Sequence, residues 1–121
     1  MNIGEFRYDI KGLAEELEVE MKDIAKLYLN YFEEMNSEIS EMNDFISGKN
    51  WMMLQKVIHN VKGVSANLNV YDVFEEAAAF DALLKAGSIE NAQAHVNRII
   101  ALIKVAEAEM KEYFKRKEFD I

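Results

Sequence analysis

The chain contains no cysteine and no proline, and only five of its 121 residues are glycine. Without cysteine there is no disulfide framework and no thiolate metal site, a usage that fits a cytoplasmic setting. Without proline nothing forces a break inside a helix. No apolar run approaches the roughly 20 residues that a membrane-spanning helix needs. Alternating runs of β-branched residues are missing as well, which argues against a sheet. Met1 to Ile10 carry Glu5 and Asp9 and no long apolar stretch, so this segment does not read as a signal peptide. There is no Glu-x-x-His motif, which disfavours a di-iron bundle.

What the chain does have is an even supply of helix formers. Half of its residues are apolar, enough for one compact domain spanning residues 1–121. The formal net charge of −8 makes nucleic acid and anionic membrane poor partners. The charge is unevenly spread: no carboxylate lies between Phe45 and Tyr71, whereas Lys49, Lys56 and Lys62 do. That locally basic window reads as a place for an anion.

Breaks in the pattern fall at Gly48-Lys49-Asn50, Asn69-Val70-Tyr71 and Gly87-Ser88. Gly48, Gly87 and Asn69 suit the left-handed residue beyond a helix end. Asn50 and Ser88 suit N-caps, and Asp72 with Glu75 resembles a capping box. Four long helices are predicted between these breaks: Val19 to Ser47, Trp51 to Leu68, Tyr71 to Ala86, and Ile89 to about Arg116. A shorter one, Asp9 to Leu17, precedes them. The apolar stripe of the last helix, Ile89, Ala92, Val96, Ile99, Ile103, Ala106, Met110 and Tyr113, alternates in steps of three and four. This is the seam of a left-handed, near-antiparallel packing. The expected fold is all-α: an antiparallel up-down four-helix bundle with a short additional N-terminal helix. Glu33-Glu34 and Glu75-Glu76 read as solvated helix faces.

The second long helix carries the chemistry. Leu54, Val57, Val61, Val64 and Leu68 form its apolar face, and at 100° per residue His59 points nearly opposite, toward solvent. Met52, Gln55, Lys56, Lys62, Gly63 and Ala66 share its side. A neutral imidazole is a competent nucleophile near neutral pH and can hold a phosphoryl group on a ring nitrogen. Lys62 and Lys56 would offset the charge of the new dianion. Gly63 costs the helix roughly 1 kcal/mol relative to alanine and leaves an open approach to the ring. No general base, Mg²⁺ carboxylate cluster or nucleotide loop is visible nearby, so the catalytic machinery would come from elsewhere. His95 has Arg98 three residues on but no small residue behind it, and reads as structural or surface.

The run His59-x-x-Lys62-Gly63, followed by Ser65 at a small-residue place and Leu68 at an apolar one, resembles the signature of histidine-containing phosphotransfer (HPt) domains. Val61 fits the family's aliphatic place. Asn69 departs from it, standing where the family usually has glycine, but asparagine tolerates the same left-handed backbone. The resemblance implies a phosphorelay intermediate and phosphocarrier, not an enzyme. His59 would accept the phosphoryl group, Lys62 stabilise it and Gly63 give access, with Met52, Gln55, Lys56 and Ala66 touching the partner. The implied partners are receiver domains of response regulators or of a hybrid histidine kinase. Mg²⁺ would belong to the receiver, and this chain would carry no cofactor of its own. The alternative is a helical adaptor or scaffold whose His59 face binds a signalling partner without phosphotransfer.

Overall fold

The computed structural model describes residues 8–117. These residues form five helices and no strand: α1 (Ile10–Leu17), α2 (Met21–Ser47), α3 (Trp51–Asn67), α4 (Tyr71–Lys85) and α5 (Ala92–Arg116). None of the described helices is long and apolar enough to cross a membrane. The signal-peptide reading of residues 1–10 falls largely outside the described range.

One closing device ends each of the first four helices. A residue with positive φ is followed by a backbone N–H that bonds five residues back: Glu18 before Val19→Ala14, Lys49 before Asn50→Phe45, Asn69 before Val70→Ser65, Gly87 before Ser88→Leu83. The bond satisfies a carbonyl that the last turn would otherwise leave orphaned. Asn69 and Gly87 fill this role as the sequence predicts. Gly48 does not: its φ is −85°, and Lys49 takes the left-handed place one residue later.

Helix starts follow the predicted chemistry only in part. The Asp9 carboxylate accepts from the Gly12 N–H at 2.9 Å and the Asn50 side chain from the Met53 N–H at 3.3 Å. The Asp72–Glu75 capping box is not formed. Val70 is the cap residue of α4 with no side-chain bond, and Asp72 instead accepts from the Tyr8 hydroxyl at 3.0 Å. Nor is Ser88 a cap: its hydroxyl donates to Glu90, and α5 begins at Ala92. Ile89, placed on the apolar seam by its spacing, is therefore 39% exposed.

α2 packs against α3 and α5, and α4 packs against the same two helices. Hydrogen bonds show the direction of the first pair. Tyr28 OH donates to Leu68 O (2.6 Å), Tyr31 OH pairs with Ser65 Oγ (2.7 Å), and Asn60 donates to Glu34 (2.8 Å), so α2 and α3 run antiparallel. Tyr28 against Phe114 and Asn36 against Lys104 and Glu107 give the same sense for α2 and α5. The buried stripes follow those that the spacing picks out, except that Val64, Leu68 and Tyr113 are partly buried and Ile89 is exposed, and they are widened by Phe32, Ile58 and Phe114, each at most 2% exposed. Burying side chains of this kind contributes about 1.5–3 kcal/mol apiece. The two tyrosine bonds fix the last turns of α3 against α2, and with them the direction in which α3 turns its outer face.

Candidate functional site

His59 stands on that outer face, in the middle of α3, with 59% of its side chain exposed. One turn on, Gly63 is exposed, and a Cβ there would have no neighbour within 4 Å. Met52 is 67% exposed and Lys56 is exposed, so both share the open surface. Ala66 and Gln55 are half-buried.

Tertiary packing adds a residue absent from the sequence window. Asp81 of α4 is 1% exposed and lies directly behind His59. Its Oδ2 is 3.4 Å from His59 Nδ1, 3.0 Å from Lys62 Nζ and 3.1 Å from Lys85 Nζ, while Oδ1 accepts from Gln55 at 3.3 Å. The basic window between Phe45 and Tyr71 thus acquires a buried carboxylate from the next helix. Lys62 and Gln55 face this carboxylate as well as the solvent. Only 27% of the Lys62 side chain is exposed, which corrects the reading of Lys62 as a simple surface cation.

The electrostatics follow from the donor set. Burial pushes the Asp81 carboxyl upward, but hydrogen bonds from Lys62, Lys85, Gln55 and His59 outweigh it and hold the group well below the usual carboxylate range. Asp81 is therefore ionised at neutral pH and can only accept hydrogen bonds. A neutral His59 must then carry its proton on Nδ1, which leaves the Nε2 lone pair for chemistry on the open side. The buried carboxylate is thereby compensated, as a charge in that position must be.

Asp81 and Lys85 were not among the residues singled out by sequence, yet Asp81 left a signal. It falls four residues after Ala77 and three before Leu84, on the apolar stripe of its own helix. A charged residue at a core position is the unusual observation that calls for a partner.

His95 is held differently. Its ring stacks on Phe80 with centroids 5.0 Å apart, and its Nδ1 lies 3.2 Å from Glu76 Oε1. Glu76 also accepts from Arg98 at 2.9 Å and is only 18% exposed, so it is a partner in the α4–α5 interface and not the solvated residue its sequence context suggests. No three His, Cys, Asp or Glu side chains among the described residues gather into a possible metal site.

Residues 26–109, well over half of the chain, match the family model of the Hpt domain. No curated protein and no solved structure matches the chain.

Proposed function

The chain belongs to the histidine-containing phosphotransfer family, and from that premise we propose that it is a phosphorelay intermediate. His59 accepts a phosphoryl group from the aspartyl phosphate of a receiver domain and passes it to an aspartate of another response regulator. The observation that carries this reading is the pairing of His59 Nδ1 with buried Asp81 beside the open surface at Gly63.

In the transfer step the Nε2 lone pair attacks phosphorus, the aspartyl O–P bond breaks, and the receiver carboxylate leaves with the bonding electrons. Nδ1 keeps its proton, so the ring becomes cationic while it carries the phosphoryl dianion. Asp81 stabilises that cationic ring and fixes its orientation, which is differential stabilisation of the charged state. Gly63 admits the receiver, and Met52, Lys56 and the accessible part of Ala66 border the contact. Gln55 acts through its bond to Asp81. Mg²⁺ belongs to the receiver, which supplies the catalysis; this chain is a carrier, not an enzyme, and needs no cofactor of its own.

We further take residues 1–121 as one domain in which α2 to α5 form an antiparallel up-down four-helix bundle, with α1 as the additional helix. The antiparallel pairings and the continuous buried core support this. Its acidic charge disfavours nucleic acid and anionic membrane as partners, and a relay between receivers fits a cytoplasmic setting.

The test is phosphotransfer from a panel of acetyl-phosphate-charged receiver domains. Acid-labile label should appear on the parent chain and be absent from His59→Gln with an unchanged helical CD spectrum. A helical adaptor would bind receivers without taking label.

A further inference from the structure

We propose that Lys85, on α4, is the cation that moves onto the phosphoryl group of phosphorylated His59, while Lys62 stays with Asp81 as its permanent counter-ion. The inference rests on the phosphocarrier reading and deepens it. It assigns the dianion a partner from a different helix than the motif lysine.

Three observations carry it. The first is crowding at one oxygen. Asp81 Oδ2 has three nitrogens around it, from His59, Lys62 and Lys85, whereas Oδ1 has only Gln55. A carboxylate oxygen offers two lone-pair directions, so one donor on Oδ2 is surplus. The second is charge. One lysine neutralises Asp81, and the other leaves the cluster one positive charge in excess before any phosphoryl group arrives. When Nε2 takes the phosphoryl group, as balanced above, the ring gains a positive charge and the phosphoryl group brings two negative ones. Ring and phosphoryl together add one negative charge, which cancels the excess. The cationic Nδ1–H then competes more strongly for Oδ2, and a lysine is released.

The third observation decides which lysine. The Lys85 side chain is 52% exposed and that of Lys62 is 27% exposed. Lys85 pairs with Asp81 within one helix, four residues apart, so its release breaks no contact between helices, and Lys62, Gln55 and the His59 ring still compensate the carboxylate. Lys62 crosses from α3 to α4, and its departure would remove a link between the two helices as well as a counter-ion of the buried carboxylate.

The experiment phosphorylates the protein chemically with phosphoramidate, so that no receiver is needed, and follows it by ³¹P and lysine-Nζ NMR. In the parent protein the Lys85 Nζ resonance should shift on phosphorylation and that of Lys62 should stay. Lys85→Gln should raise the titration midpoint of the ³¹P signal and shorten the phosphohistidine lifetime at least threefold, and Lys85→Arg should restore both. Lys62→Gln should move the midpoint less than Lys85→Gln does while lowering the melting temperature more. A midpoint that moves in Lys62→Gln and not in Lys85→Gln, or a shift at the Lys62 Nζ alone, overturns the assignment. The Nζ measurement on the parent protein decides the matter even where a lysine variant fails to fold. A parent protein that takes no phosphoryl group at His59, from phosphoramidate or from charged receivers, overturns the phosphocarrier reading itself.

Discussion

Lys62 Nζ lies 3.0 Å from Asp81 Oδ2, so the lysine of the His-x-x-Lys-Gly run is bound across a helix interface to a carboxylate that is 1% exposed. A lysine in that position holds α3 and α4 together as well as shaping the field around His59. The consequences for substitution differ from those of a solvated lysine.

On the sequence alone, Lys62→Ala is a surface change worth less than about 0.5 kcal/mol. With Asp81 behind it, the expected cost is about 1–2 kcal/mol, since a charge-assisted bond to a buried acceptor is lost and Lys85, Gln55 and His59 compensate only part of it. Urea melts at neutral pH measure this. A loss below 0.5 kcal/mol would mean that Lys85, Gln55 and His59 satisfy the carboxylate without Lys62.

Asp81→Asn should slow phosphotransfer at least tenfold, because an amide does not stabilise a cationic His59 ring as a carboxylate does. It should also change the acid limb of stability. The Asp81 pKa is depressed in the folded state, so its contribution is complete above its ordinary value of 3.8 and is lost as pH falls through the folded value. The stability gap between parent and Asp81→Asn should therefore be constant near neutral pH and close progressively below pH 3.8. Denaturant melts of both proteins from pH 7 down to pH 2 check the sign; a gap that widens in acid contradicts it.

Gly63 separates stability from function. Since a Cβ there meets nothing within 4 Å, Gly63→Ala should stabilise the fold by up to roughly 1 kcal/mol. Gly63→Glu should melt at or above the parental temperature yet transfer phosphate at least ten times more slowly, because bulk and negative charge then stand one turn from His59. Parental transfer by Gly63→Glu would remove the access role.

The two histidines should respond in opposite ways. His59→Gln should abolish acid-labile label with little change in melting temperature, since the ring is largely exposed. His95→Gln should retain label and lose about 1 kcal/mol or more, because stacking on Phe80 and the contact with Glu76 go with the ring. Label that persists in the first variant and disappears in the second would reverse their roles.

Tyr31 and Ser65 form a buried hydroxyl pair. Tyr31→Phe should cost about 1–2 kcal/mol by removing the partner of a hydroxyl that cannot reach water. Adding Ser65→Ala to it should recover part of the loss, since both partners are then apolar. A double-mutant cycle in denaturant measures the coupling, and strict additivity would show that the bond contributes nothing.

Helix number, type and spacing were all legible in the sequence, because period-3.6 burial and the absence of proline leave few other choices. So was the outward direction of His59, since a stripe such as Leu54, Val57 and Val61 fixes its opposite face. The local chemistry of the helix ends was less legible. Asn69 and Gly87 behave as read, but the left-handed place after α2 fell to Lys49 and not to Gly48, because its position depends on how the chain must leave the helix. Asp72 met a more distant partner in Tyr8, and Ser88 lost its capping role when α5 started later. What only the tertiary structure decided is the surroundings of His59. Asp81 is 22 residues away in sequence and becomes its neighbour through the packing of α4 on α3. Spacing along one helix specifies which side chains share a face. It is silent on which face of the next helix will meet them, and the charge state, tautomer and counter-ions of His59 all depend on that meeting.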